Sequence, residues 1–408
     1  MQNVTADWEQ THRDNLTRQA GMLLSFEFPD GTSKLVSDSR LVSFNYNKSG
    51  DILSGVLTQD TVTFTFDNFD RQFSYDPVND NYTGGTVTIT CSFLRGDYEL
   101  YDGIRGGTYY ITDVQSEDNK ITFTAKSILA FMKKKIDGVS GACDQAVISI
   151  ILDARSDPAV PDDDIQYVLD SCLGDFTCVI LNTDGYSQAE ALQLIANECS
   201  CVLFVDRLGK IHIERLETIS ENYVLSEKIS FEFPKPKVLE KIGRVTAYYD
   251  HGTATITTST PGETSGATQT LTNPIIDDYL NAGSMVRMAY EIQQGARQRI
   301  TGNFRADPRI DLFDVIAVPY QNKVAVCCLT KINFTYNGGW RGTYEAVQFV
   351  NGSIDLRICD LEMLKIEQFE SLRIEQLEPN TISDDLGYYL ATSDGRLTYW
   401  KEDEPDNG

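Results

Sequence analysis

From Met22 onward, apolar and polar residues alternate with a period of two, the spacing that turns one face of an extended strand into a core and leaves the other wet. Leu24, Phe26 and Phe28 open the pattern, and Leu41 to Tyr46 repeats it. Val62, Phe64 and Phe66, then Val87, Ile89 and Cys91, continue it, with Asp76-Pro77 and Gly84-Gly85 as breakers between them. Thr108–Ile111 and Lys120–Ala125 read as the last strands of this unit, and its wealth of Thr, Val, Phe and Tyr suits a pleated surface. The alternation predicts a first β-barrel over residues 21–130, preceded by an N-terminal arm at 1–20.

The period then changes. Gln145–Leu152 and Ile165–Leu169, set among Asp- and Pro-rich loops, read as helices. Ser187–Asn197 is the clearest helix: Ser187 and Glu190 form a capping box, and Leu192, Ile195 and Ala196 share a face. Cys201–Asp206 and Lys210–Glu214 follow as a hairpin around Arg207-Leu208-Gly209. Residues 131–225 are thus an α+β insertion. A second β-barrel is expected over 226–350, because Ser230–Pro234 repeats Ser25–Pro29 letter for letter and Arg244–Tyr249 follows it as Arg40–Tyr46 follows the first copy. Within it, 252–273 reads as a Thr/Ser/Gly-rich hairpin or loop, and 275–299 contains a helix with Met285, Met288, Ala289 and Ile292 on one side. Asp311–Val318 with Lys323–Leu329, and Lys331–Tyr336 with Trp340–Val347, read as two hairpins. The fold class is mainly β with an α+β insertion.

Near the C-terminus an eight-residue unit occurs three times, at Asp355–Glu362, Met363–Glu370 and Ser371–Glu378. Its second position is Leu356, Leu364 or Leu372, its fourth Ile358, Ile366 or Ile374, and its seventh Leu361, Phe369 or Leu377. On a helix the second and fourth positions lie roughly 200° apart, whereas on a strand they share a side. A strand this thin needs neighbours to bury its apolar side. Three chains wound about one axis, a trimeric β-needle at 351–380, is the favoured reading, and an intrachain β-structure or an amphipathic helix are the alternatives. Those nine apolar residues are the candidate trimer interface. Residues 381–408 read as a terminal hairpin and an acidic tail.

Composition excludes several functions. In 408 residues, 35 Lys and Arg face 60 Asp and Glu, a net charge of −25, which repels phosphate backbones and argues against sequence-specific nucleic-acid binding. No apolar run approaches the roughly 18 residues of a membrane helix, so stable membrane insertion is not expected. The polar, acidic start argues against a signal peptide and for synthesis in a cytoplasm. Cysteines stand at 91, 143, 172, 178, 199, 201, 327, 328 and 359, with only three histidines, and show no zinc-knuckle spacing, so buried free thiols and no metal site are expected. His12, His212 and His251 read as structural, and Asp162-Asp163-Asp164 as a solvated loop rather than a calcium site. No nucleotide-binding, zinc-protease or nucleophile-elbow motif occurs, and Gly103–Gly107 lies between strands rather than before a helix. No catalytic residue and no cofactor is assigned.

The arrangement of barrel, insertion, second barrel and repetitive needle resembles the baseplate hub, or tail-tip, proteins of tailed bacteriophages and related contractile injection systems. The likeness is carried by Asp60–Asp70 with Gly107–Ile111 and Ile121–Ala125, by Glu190–Ala196 leading into Asp206–Ile211, and by Asp307–Ile316 through Phe334–Gly342. The resemblance implies a homotrimer whose two similar barrels per subunit adapt a sixfold tube to a threefold tip. It also implies a DNA exit channel, whose wall the acidic composition would keep from holding DNA. The implied place is the virion tail tip, and the implied partners are tail tube or distal tail protein, tape-measure protein and tip or receptor-binding proteins. Relatives often carry a lysozyme or peptidase domain, and this sequence shows no motif for either. A trimeric receptor-binding adhesin and a cell-wall hydrolase are the alternatives.

Overall fold

The alternating segments fold as strands because each buries one side-chain row and offers both backbone edges to neighbours. The computed structural model describes residues 19–349 apart from 53–56, 77, 79–80, 96–98, 101–102, 137, 154–164, 182–184, 217–221, 226–229, 260–265, 321–322 and 337–338, together with 387–391 and 397–401. The first β-rich stretch supplies β1 (Gln19–Glu27), β2 (Ser33–Ser37), β3 (Leu41–Ser49), β4 (Gln59–Asp67), β5 (Thr86–Arg95), β6 (Glu99–Leu100), β7 (Ile104–Glu117) and β8 (Lys120–Lys126). The middle stretch alternates β9 (Val139–Ser140), α1 (Asp144–Asp153), β10 (Tyr167–Leu169), β11 (Val179–Ile180), α2 (Gln188–Glu198), β12 (Val202–Val205) and β13 (Ile211–Glu214). Then come β14 (Asn222–Val224), β15 (Lys235–Val238), β16 (Ile242–Tyr249), β17 (Ala254–Ser259), β18 (Ala267–Thr272) and α3 (Tyr279–Gly295). The remaining strands are β19 (Ala296–Phe304), β20 (Val315–Tyr320), β21 (Lys323–Tyr336), β22 (Trp340–Phe349), β23 (Gly387–Ala391) and β24 (Leu397–Lys401), the last two paired antiparallel.

The largest sheet links fourteen strands along the path β15-β19-β22-β21-β3-β4-β8-β7-β5-β1-β2, with β6, β14 and β20 attached to it. The two β-rich stretches join where β3 pairs antiparallel with β21, which sets Tyr46 opposite Phe334. Their rings stack at 5.5 Å, and a single hydrophobic core runs from Met22 to Ala346. Phe26 sits at one focus of it, fully buried, with Phe123 at 5.3 Å, Phe64 at 5.6 Å, Phe73 at 5.7 Å and Phe66 at 6.0 Å. These spacings allow the edge-to-face and offset contacts that aromatic rings prefer.

The insertion has its own core, in which Val147, Ile148 and Ile151 of α1 meet Leu192, Ile195 and Ala196 of α2. Ser187 caps α2 as its sequence predicts: its hydroxyl accepts from the Glu190 amide at 3.3 Å, and the Glu190 carboxylate accepts from the Ser187 amide at 2.8 Å. The helix expected at 145–152 is α1, and the hairpin of Cys201–Glu214 is β12 and β13. A third layer consists of β17-β16-β18 covered by α3, whose Ala282, Met285 and Val286 are buried against Val245 and Ala247.

Four local expectations are corrected. Ile165–Leu169 is not helical: Tyr167–Leu169 is strand β10, parallel to Ile211–Ile213, because β-prone residues follow an available sheet edge. The second copy of the Ser-Phe-Glu-Phe-Pro motif does not repeat the first. Phe26 and Phe28 are 0 % and 5 % exposed, whereas Phe231 and Phe233 are 54 % and 81 % exposed. The first copy lies largely in β1, between β5 and β2, while the second makes only an isolated bridge from Ser230 to Phe304, so no second layer closes over its rings. Residues 252–273 are not a hairpin, since β17 and β18 flank opposite edges of β16. Finally, 323–336 is one strand, with a register shift between Leu329 and Lys331 in place of a break.

Phe123→Ala should cost about 3–5 kcal/mol, since it empties the centre of the aromatic cluster. Phe69→Ala, at a position 76 % exposed, should change stability by less than about 0.5 kcal/mol. Urea unfolding of both variants checks the contrast.

Candidate functional site

Alternation places one charged residue of β3 on the apolar side. Phe44 and Tyr46 point inward, and two residues on so does Lys48, 1 % exposed. Its cross-strand partner on β4 is Asp60, in phase with the buried Val62 and Phe64. The Lys48 ammonium donates to the Val205 carbonyl at 2.6 Å and to Asp311 Oδ1 at 2.9 Å, and lies 3.7 Å from Asp60 Oδ2. Arg207, from the turn between β12 and β13, brings Nε to 3.5 Å from Asp311 Oδ2 and donates to the Ile310 carbonyl.

One buried ion network therefore ties three chain segments: the first β-rich stretch through Lys48 and Asp60, the insertion through Val205 and Arg207, and the turn before β20 through Asp311. That turn is organised further by Arg309, which donates to Asp307 Oδ2 at 2.7 Å and 2.9 Å, and by the Asp311 amide, which donates to Asp314 Oδ2 at 2.7 Å. Phe313 in the same turn is buried with φ +66°, a left-handed conformation that costs a bulky residue energy. Its ring lies against Gly50, where a Cβ would come within 2.7 Å of it.

Burial sets the titration of this network. It pushes Asp60 up to about 7, against the pull of Lys48. It also opposes the Lys48 and Asp311 charges, but Asp311 raises Lys48, and Lys48 and Arg207 hold Asp311 below the usual carboxylate range. Asp60 and Lys48 were legible in principle, since each is a charge in register with buried apolar residues on an alternating strand.

The main path of the sheet ends at β15 and β2, each paired on one side only among the described residues. Beside β15 stand Phe233 and Val238, 81 % and 79 % exposed, and β2 carries Leu35, 63 % exposed. Unpaired edges flanked by exposed apolar side chains are templates for another chain. The candidate trimer-interface residues Leu356 to Leu377 lie outside the described residues, as do His12, Cys359 and Asp162–Asp164.

His212 is not an idle strand residue. It stacks on Phe204 at 4.8 Å, and its ring nitrogens lie 2.7 Å from Glu214 Oε2 and 3.2 Å from Asp206 Oδ2. Burial disfavours its cation, but the two carboxylates outweigh that and raise it to about 9. His251 sits in the turn Asp250–Gly252 with φ +50°. Gly106 and Gly107 fall within β7 rather than between strands, and no helix follows there to bind phosphate. Gly107 has φ +144°, and a Cβ would meet the Tyr109 ring at 2.4 Å, which explains glycine there. Of the eight described cysteines, Cys91, Cys178, Cys199, Cys201, Cys327 and Cys328 are buried free thiols, as expected. The sequence disfavours a metal site, yet the fold brings Asp144, Cys178 and Glu198 together.

No protein-family model and no curated sequence matches this chain. Solved structures do match. A tail protein from Neisseria meningitidis MC58 is similar at TM-score 0.54 and 12 % identity, over 80 % of this chain and 96 % of that one. The 43 kDa tail protein of prophage MuSo2 from Shewanella oneidensis is similar at TM-score 0.52 and 12 % identity, over 80 % of this chain and 98 % of that one. The chain has the fold of phage tail proteins. No described helix is long and apolar enough to cross a membrane.

Removing Lys48 strands buried carboxylates, so Lys48→Met should cost about 3–5 kcal/mol in chemical denaturation. The His212 shift gives a pH dependence of known sign. A raised cation stabilises the fold fully below its ordinary value of 6.5 and loses that contribution as pH rises through about 9. The stability advantage of wild type over His212→Asn should therefore shrink by up to about 3 kcal/mol between pH 6 and pH 10.

Proposed function

We propose that this protein is a structural, non-enzymatic hub at the distal end of a phage-type tail tube, where it assembles as a homotrimer around a channel for DNA. The observation that carries the reading is a fold shared with two tail proteins along nearly their whole lengths. The sequence adds the paired β-rich stretches, read as two related barrels that match a threefold tip to a sixfold tube, and the octad repeat at 351–380, read as a needle on the trimer axis. The net charge of −25 suits a channel wall that must release DNA. In this reading a tail tube or distal tail protein, a tape-measure protein and tip proteins are the partners, and the virion tail tip is the place of action.

The two open sheet edges support assembly. A head-to-tail contact between the β15 edge of one subunit and the β2 edge of the next uses different patches and closes into a ring when the rotation is 120°. The apolar side chains of Phe233, Val238 and Leu35 would be covered there.

Sedimentation equilibrium should give three times 45.7 kDa for the full chain and a weaker trimer for a truncation ending at Val350. Phe233→Asp combined with Val238→Asp should weaken the trimer with little change in the melting temperature, because both positions are solvent-exposed in the single chain. A full-length monomer at tens of micromolar overturns the trimeric hub.

A further inference from the structure

We propose that Asp144, Cys178 and Glu198 form a site for one zinc-type transition-metal cation that pins the insertion together. Asp144 is the first residue of α1, Glu198 the last of α2, and Cys178 immediately precedes β11. A carboxylate oxygen from each acid and the Cys178 Sγ all lie within 4.8 Å of one another. Asp144 and Glu198 are 0 % exposed and Cys178 1 %. None of the four buried carboxylate oxygens has a hydrogen-bond partner outside the cluster: Asp144 is approached by the Cys178 amide and thiol and by Glu198. Buried carboxylates without a counter-charge are costly, and natural proteins keep them where a cation or proton repays the burial.

The surroundings point to a cation. The charges acting most strongly on Glu198 come from Asp144, Asp277 and Asp278, all of its own sign. A divalent cation held between them would offset the cost of burying these like-charged groups. One thiolate with two carboxylate oxygens is a borderline donor set that suits zinc or cobalt, whereas calcium and magnesium take oxygen ligands in larger number. Zinc bonds of about 2.0–2.3 Å place tetrahedral ligand atoms roughly 3.5 Å apart, inside the 4.8 Å span of these three atoms. Water would take the remaining position. The cation would cross-link the start of α1, the end of α2 and the approach to β11, whose Val179 amide donates to the Ile275 carbonyl at 3.0 Å.

The sequence did not show this because the three residues are 34 and 20 positions apart, with none of the short spacings of a zinc knuckle. Glu198 did carry one signal, since it falls one helical turn after the buried Ile195 on the apolar face of α2.

The test uses the full chain, stripped with a chelator and titrated with zinc by calorimetry and with cobalt by absorption. The expected result is one equivalent per chain, a thiolate-to-cobalt charge-transfer band and a higher melting temperature with metal. Cys178→Ser and Glu198→Gln should each weaken zinc binding by about 100-fold or more. Glu198→Gln keeps the shape and cannot ionise, so it folds without the ion, and circular dichroism checks this. Cys172→Ser serves as the control, because Cys172 Sγ lies with Cys199 and Cys201, 3.7 Å from Cys201 Sγ, and is none of the three proposed ligands, and it should bind zinc as wild type does. The proposal is overturned if wild type takes up no zinc below roughly 100 µM. It also fails if Cys172→Ser loses the ion while Cys178→Ser keeps it. Stabilisation by Glu198→Gln without zinc uptake by wild type would instead identify two acids sharing a proton, and equally reject the metal.

Discussion

Lys48 carries one of the few full charges in the interior, and three parts of the chain converge on it. A lone buried ammonium would cost several kcal/mol, so the fold holds only when Asp60, Asp311 and the Val205 carbonyl arrive together. Those partners come from the neighbouring strand, from a turn more than two hundred residues later and from the insertion. Such a network adds little net energy compared with apolar packing, but it penalises any arrangement in which one partner is missing. In this fold it fixes how the insertion docks between the two β-rich stretches.

The shared sheet follows from the same junction. β3 leads into Lys48 and also pairs with β21, so the strand that presents the charge stitches the early and late stretches into one core. The turn at Asp307–Asp314, with its left-handed Phe313 and dense set of charges, brings Asp311 to the ammonium. The exposed edges at β15 and β2 lie at the two ends of this sheet path. The open edges and the internal lock are thus parts of one continuous sheet.

Much of this was legible residue by residue. Period-two alternation located most of the long strands of the main sheet, because the pleat writes itself directly into side-chain parity. The capping box at Ser187 and Glu190 marked the start of α2, since that interaction is local. Tyr167–Leu169 and Ser230–Pro234 were misread for the opposite reason: short apolar segments take their state from whichever partner lies beside them. The ion network was half visible, as charges in phase with buried Phe and Val on β3 and β4, but Asp311 and Arg207 gave no hint that they complete it.

The sequence by itself determined a mainly β chain with an α+β insertion, a strongly acidic surface and a three-copy octad near its end, because parity, capping and composition are properties of neighbouring residues. The tertiary structure decided that the two β-rich stretches form one sheet, that a repeated pentapeptide is core in one place and surface in another, and that Asp144, Cys178 and Glu198 meet. Those outcomes depend on which edges and faces are left open once distant segments have packed, and no local pattern encodes that.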